Sequence, residues 1–185
     1  MDFTVKWNKN YNMSFDFING ECNFIDCQNE PACIVGEIMI EDNCVGQIVG
    51  FELYNDESAY SKLDEISGDC AKIAEVICDD MGYIKDEYIN EMASFENVFI
   101  LDNITIEVDF RGKGIGESIL KNLSKMLEVQ FGCGENIFLC ASDFNSAKEF
   151  GFESDEYKNG CKKLIKFYEK CGFKLIKDNV MVYNA

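Results

Sequence analysis

Asp109-Phe110-Arg111-Gly112-Lys113-Gly114-Ile115-Gly116 is the stretch whose residue types and spacing point most directly to chemistry. It stands between an apolar run with strand character and a segment with helical period. Backbone N–H groups at a helix start have no intrahelical acceptors, and the helix dipole adds positive potential there. Such a turn attracts anions, phosphate above all. Glycine lets the backbone curl and lets a ligand come close. Arg111 and Lys113 add local positive charge to a chain whose formal net charge is −17. Three nucleotide-binding patterns compete for this turn. A P-loop needs GxxxxGK followed by Ser or Thr, and that spacing is missing. A dinucleotide fingerprint needs GxGxxG; Gly112 and Gly114 begin it, but its third glycine would fall at Glu117. Arg/Gln-x-x-Gly-x-Gly/Ala is met in full by Arg111, Gly114 and Gly116.

A second requirement for most group-transfer chemistry is a base. The 185 residues include no His, which removes Ser-His-Asp and Cys-His catalysis and His-based proton shuttles. The base must be a carboxylate, a Tyr, a Cys, a Lys or a relayed water. Asp102 is the one carboxylate on the apolar face traced by Val98, Ile100, Ile104, Ile106 and Val108. An apolar setting raises a carboxylate pKa toward the useful range. A competing reading makes Asp102-Asn103 a β-bulge satisfied by local backbone.

The totals narrow the partners. A charge of −17 disfavours nucleic acid and anionic membrane surfaces and suits a cationic partner, although it also serves solubility. The ten Cys contain no Cys-x-x-Cys pair, so no metal is expected. Cys70 and Cys140 sit at apolar positions of periodic segments, as in a reduced cytoplasmic protein that uses Cys as a small hydrophobe. Residues 1–7 lack the basic and apolar regions of a signal peptide, and no apolar run is long enough to span a membrane.

Several elements must position these residues. Residues 3–18 hold one strand, and 20–31 read as loop. Residues 33–40 and 44–54 form a hairpin across Glu41-Asp42-Asn43. Leu63, Ile66, Cys70, Ile73 and Ile77 recur at helical steps within 61–80, and a short helix covers 85–92. A long strand, 98–108, leads to a helix over 114–130, closed by Gly132. A short strand follows at 136–141. Residues 142–160 read as a long loop or partly helical insertion, 162–171 as a helix, and 173–176 with 180–183 as a terminal pair. One mixed α/β domain over 1–185 accounts for this order.

Two segments together resemble the GNAT superfamily of N-acetyltransferases. One is the Arg111 to Gly116 turn after a long strand. The other is Phe167-Tyr168-Glu169-Lys170-Cys171-Gly172-Phe173, which looks like the family's Phe-Tyr-x-x-x-Gly-Phe helix signature. The resemblance covers 98–183, about half the chain. It implies an α/β (α+β mixed) fold with a central, mostly antiparallel sheet flanked by helices, the family's fourth and fifth strands splaying around the cofactor. Residues 98–185 would be the cofactor half and 1–97 a variable acceptor-side half. The resemblance also implies acetyl-CoA as co-substrate. Ile106, Glu107 and Val108 would line the pantetheine arm, and Arg111, Gly112, Lys113, Gly114, Ile115, Gly116 and Glu117 would hold the pyrophosphate. Tyr168 matches the family's general-acid tyrosine. Counting four residues back from Ile106 places Asp102 where some members carry a Glu base.

The implied activity is acetyl transfer by direct attack of a primary amine, on a small molecule or on a lysine of a basic protein, with a homodimer admitted. Two departures leave the acceptor open. The clearest early helix comes after the hairpin, whereas the family places two helices between its first and second strands. The 142–160 insertion is also long. Two other classes stay open: a non-catalytic coenzyme A binder, and an acidic interaction or inhibitor protein, for example a phage-type effector acting on a basic host protein.

Overall fold

A computed structural model of the chain describes residues 2–10, 14–18, 21–25, 31–54, 58–88, 97–133 and 136–184. The strands are β1 (Thr4–Asn10), β2 (Ser14–Ile18), β3 (Glu21–Ile25), β4 (Ala32–Ile40), β5 (Asn43–Tyr54), β6 (Asn97–Ile106), β7 (Asn136–Cys140), β8 (Lys174–Lys177) and β9 (Val180–Asn184). Seven of them form one sheet in the order β1-β4-β5-β6-β7-β9-β8, while β2 and β3 pair as a separate ribbon. Only β6 and β7 run parallel; the other neighbours are antiparallel. This is the mixed, mostly antiparallel sheet that the resemblance implies. The β8–β9 hairpin turns on Asp178 and Asn179, both left-handed, as a tight two-residue turn requires.

Each face of the sheet carries its own core. Helices α1 (Ala59–Ile66) and α2 (Gly68–Ile77) bury Leu63, Ile73 and Ile77 against Val49, Phe51, Val98, Ile100 and Phe138. Helix α3 (Ile115–Phe131) buries Ile119, Leu123 and Leu127 against Ile34, Ile48, Phe99, Leu101 and Ile137. Helices α4 (Phe144–Phe150) and α5 (Asp155–Lys170) pack together, and α5 lays Leu164, Phe167 and Tyr168 beside the α3 core.

The structure corrects several expectations. The helical period over 61–80 breaks at Ser67, whose backbone is extended, and becomes two helices. Ser67 caps the second of them by accepting the Cys70 N–H at 3.2 Å. Of the two readings of residues 142–160, a long loop or a partly helical insertion, the second agrees with the structure: α4 occupies 144–150 and α5 begins at Asp155. Ser154 accepts the Tyr157 N–H at 3.1 Å, and Asp155 and Glu156 lie in the first turn. Carboxylates are favoured beside a helix N-terminus, so the acidity that hid the period helps to start the helix. Of the helix expected over 85–92, the described part is a single 3₁₀ turn, Asp86–Tyr88. The N-terminal strand is two strands, and β3 lies inside the segment read as loop. The two helices do follow the β4–β5 hairpin, as their sequence position indicated.

The largest correction concerns β6. Its register against β5 shifts so that Val49 faces Asn103 and Gly50 faces Leu101, leaving Asp102 as the extra residue of a bulge. A one-residue insertion exchanges the faces of all that follows it. Val98 and Ile100 therefore point to the α1–α2 core, whereas Ile104 and Ile106 join Leu101 on the α3 side. The single apolar face read from the sequence is two half-faces joined at Asp102.

Candidate functional site

Strand β6 parts from β7 soon after they meet. Among the described residues their pairing is Phe99 with Ile137 and Ile100 with Phe138, and β6 runs on to Ile106 without β7. A cleft of about 1200 Å³ opens there, with Asp102, Ile104, Ile106, Arg111, Gly116 and Tyr168 among its lining residues. On its other side β6 remains bonded to β5, where the Glu107 N–H donates to the Val45 carbonyl at 2.9 Å. Bonding directions alternate along an antiparallel strand. The main-chain groups of Ile104 and Ile106 consequently point away from β5, into the opening. The Ile106 carbonyl accepts from Arg111 Nε at 2.7 Å, which draws the exposed arginine across the end of the strand.

The glycine turn closes this end of the cleft. A 3₁₀ turn, Val108–Phe110, leads into Gly112 (φ 71°) and Gly114 (φ 79°), both left-handed. Gly114 is the residue before α3, and no side chain caps the helix. The first helical bond runs from Ser118 N–H to the Gly114 carbonyl at 2.9 Å. The N–H groups of Gly114, Ile115, Gly116 and Glu117 therefore precede any intrahelical acceptor. Gly116 serves a different end. A Cβ there would meet Ile106 Cδ1 at 3.3 Å and Phe167 Cζ at 3.9 Å, so its absence lets α3 approach β6 and α5. Lys113 Nζ stands 4.9 Å over the Phe110 ring, and Glu117 pairs with Lys121 at 2.6 Å on the surface. Open main-chain donors, a missing Cβ and nearby cationic side chains fit a pyrophosphate with an attached chain running along β6.

Asp102 faces the other way. Ser67 Oγ donates to its Oδ1 at 3.2 Å, and Cys70 Sγ lies 3.7 Å from the same oxygen. Burial raises the Asp102 pKa above the ordinary carboxylate value. The two hydrogen bonds work against that rise, and the nearby Asp69 carboxylate adds to it. Burial also pushes the Cys70 thiol up to about 12, so it stays a neutral donor. Asp102 is thus the bulge residue, but its carboxylate is held by the Ser67 and Cys70 side chains and not by local backbone.

A second carboxylate lies in the same cleft. Asp69 is buried and accepts from Ser142 Oγ at 2.8 Å and from Lys72 Nζ at 3.2 Å. Ser142 is in turn 3.4 Å from Tyr157 Oη. Tyr168, on α5, is half-buried between Phe167 and Phe173 at ring distances of 5.5 and 5.8 Å. Burial raises its hydroxyl to about 12, which keeps it protonated at neutral pH.

The structure therefore gathers Asp102, Tyr168, Ile106, Arg111 and Gly116 in one cleft. Glu107, Val108 and, of the glycine turn, residues 112–115 and 117 are not among its lining residues; the Glu107 amide is committed to β5, and Val108 is 74% exposed. Sequence reasoning missed Ser67, Asp69 and Ser142. Only Ser67 had a local signal, since Ser-Gly-Asp inside a helical period is a cap motif.

The scan of family models finds no match, and the search of curated proteins finds none either. Among solved structures, the chain is similar in fold to AtaTR bound with AcCoA, at 11% identity and a TM-score of 0.44 over 98% of this chain and 92% of that one. It is similar to the AtaT–AtaR complex bound to DNA, at 11% identity and 0.42, covering 82% of this chain and 66% of the other. A third likeness is to Arabidopsis thaliana Naa50 in complex with a bisubstrate analogue, CoA-Ac-MVNAL, at 16% identity and 0.39 over 82% and 72%.

Proposed function

We propose that this chain transfers an acetyl group from acetyl-CoA to a primary amine by direct attack. The observation that supports this most is the strand β6 itself. It leaves β7, turns main-chain groups of Ile104 and Ile106 toward the cleft, and leads through the glycine turn to the uncapped start of α3. A phosphate at the helix start and an extended arm along the strand edge are the two halves of coenzyme A. The arm would pair as an added strand, with the Ile106 N–H as one donor. The open cleft also favours an enzyme over an acidic decoy that needs no such space.

Two residues then divide the proton work. An alkyl ammonium has a pKa of about 10.4 and must lose a proton before its lone pair can attack. Asp102, its carboxylate made more basic by burial, takes that proton. The new C–N bond forms at the carbonyl carbon, whose oxygen gathers negative charge beside the main-chain donors of β6. As the C–S bond breaks, the nitrogen releases its second proton to solvent and becomes a neutral amide, and Tyr168 gives its hydroxyl proton to the departing sulfur. The proton held by Asp102 returns through solvent to the phenolate, so both groups are reset.

Coenzyme A release from acetyl-CoA, followed with a thiol reagent across a panel of amines, tests this reading. Amine-dependent release that disappears in Gly114→Asp supports it. Tight acetyl-CoA binding with no release to any amine would instead favour a structural coenzyme A binder.

A further inference from the structure

Resting on the acetyl-transfer reading, we propose that α4 and the turn after it dock the acceptor, and that the acceptor is a basic protein segment whose amine enters the cleft. Phe144, Phe150 and Phe152 are 57%, 51% and 53% exposed. Single exposed apolar residues are ordinary on a protein surface, but a cluster beside a cleft marks a contact site. Phe144 and Phe150 line the cleft, whereas Phe152 stands outside it. Phe152 meets Tyr157 edge-on at 5.4 Å and carries Lys72 Nζ 5.8 Å over its ring. The aromatic surface therefore runs from inside the cleft onto the exterior. A free diamine would fit wholly within the cleft and leave Phe152 in water. A chain that continues on either side of its amine would cover it.

Charge selects the kind of chain. Between residues 143 and 157 five carboxylates (Asp143, Glu149, Glu153, Asp155 and Glu156) stand against one cation, Lys148. Glu149, Glu153, Asp155 and Glu156 are exposed, and the Glu153 side chain, whose partner Lys158 is 3.5 Å away, is 98% accessible. Farther in, Asp69, paired with Lys72, and Asp102 also line the cleft. Phenylalanine faces within a carboxylate rim suit a segment with alternating cationic and apolar side chains, held by ring contacts and steered by charge.

The test compares a lysine peptide carrying flanking Arg and Leu residues with spermidine and with an isolated blocked lysine, each followed by coenzyme A release. The peptide is expected to show a kcat/KM about tenfold above either small amine, mostly through KM, with the gap narrowing as salt is raised. Glu149→Lys with Glu153→Lys, and separately Phe152→Ser, should remove that advantage and leave turnover of blocked lysine within about twofold, as surface changes outside the cleft do. Equal kcat/KM for peptide and small amines, or a peptide advantage untouched by these variants, overturns the docking proposal while the acetyl-transfer reading stands. Bound acetyl-CoA with no release to peptide or amine overturns both.

Discussion

The two walls of the cleft are built on opposite plans. The wall proposed to hold the acetyl donor is mostly main chain: consecutive N–H groups from Gly114 to Glu117 and the β6 edge that faces away from β5, all within one run of sequence. The acceptor wall is side chains from distant elements. Ser67 meets Asp102 across 35 residues, and Ser142 meets Asp69 across 73. The main-chain donors of such a wall are damaged by changing conformation, adding bulk or adding charge, because they have no side chain to remove. A side-chain wall fails atom by atom. The contrast predicts where single substitutions act on affinity and where they act on turnover.

Asp102→Asn should break the acceptor wall most severely. Loss of the base is expected to lower kcat by about 10³-fold in a single-turnover assay, with acetyl-CoA affinity unchanged. Stability should move in the opposite direction. Burial holds the folded Asp102 pKa above its unfolded value, so the folded chain binds the proton more readily. Its stabilising contribution is full below the unfolded pKa of about 3.9 and is lost as pH rises through the folded value. Asn carries no buried charge, so thermal melts should show a higher Tm for the variant at pH 7 and none of that gain near pH 3. A lower Tm at pH 7 would mean that Asp102 is chiefly a structural bulge residue. Tyr168→Phe removes only the hydroxyl and leaves the ring contacts with Phe167 and Phe173. It should reduce kcat by about 10²-fold with little change in KM. A wild-type rate would remove Tyr168 as the acid.

The donor wall needs a different probe. Gly114→Asn and Gly114→Asp place side chains of one shape at a left-handed position with open space around it. Both should lose about 1 kcal/mol of stability, since Asn and Asp tolerate that conformation better than most residues but less well than Gly. Only Asp adds negative charge beside the phosphate. Calorimetry should therefore show acetyl-CoA bound about tenfold more weakly by the Asp variant than by the Asn variant, and the gap should shrink with salt. Equal affinities would place the pyrophosphate elsewhere.

The same contrast explains what the sequence could show. A main-chain site has a local signature because its glycines are required by backbone angles, and Gly112 and Gly114 are legible for that reason. Gly116 is legible as part of the pattern, yet its reason, the 3.3 Å approach to Ile106, appears only in three dimensions. Asp102 was visible as the odd polar residue in an apolar run. Period-two alternation could not show that the strand changes faces there, because a bulge is defined by its partner's register. Ser142 and Asp69 had no local signal at all. The 142–160 segment could be read only as loop or partly helical because α4 buries Ala147 alone and the first turns of α5 bury Tyr157, Gly160 and Cys161, too few apolar positions to fix where each helix starts.

Ser67→Ala is the smallest change and separates the two plans most finely. Ser67 does two jobs with one oxygen: it accepts the Cys70 N–H to start α2 and donates to Asp102. Loss of the cap should cost about 1 kcal/mol, readable as a lower denaturation midpoint. Loss of the donor acts on chemistry. The Ser67 bond favours the carboxylate form, so without it the Asp102 pKa moves further up. The acid limb of the kcat/KM profile should shift to higher pH, with only a few-fold fall at the plateau. Cys70 stays as a weak second donor, which limits the shift. Ser67→Thr keeps both the hydroxyl and the cap and should restore the wild-type limb. A destabilised Ser67→Ala protein with an unmoved pH limb would show that Ser67 only caps α2, and that the acceptor wall does not tune its own base.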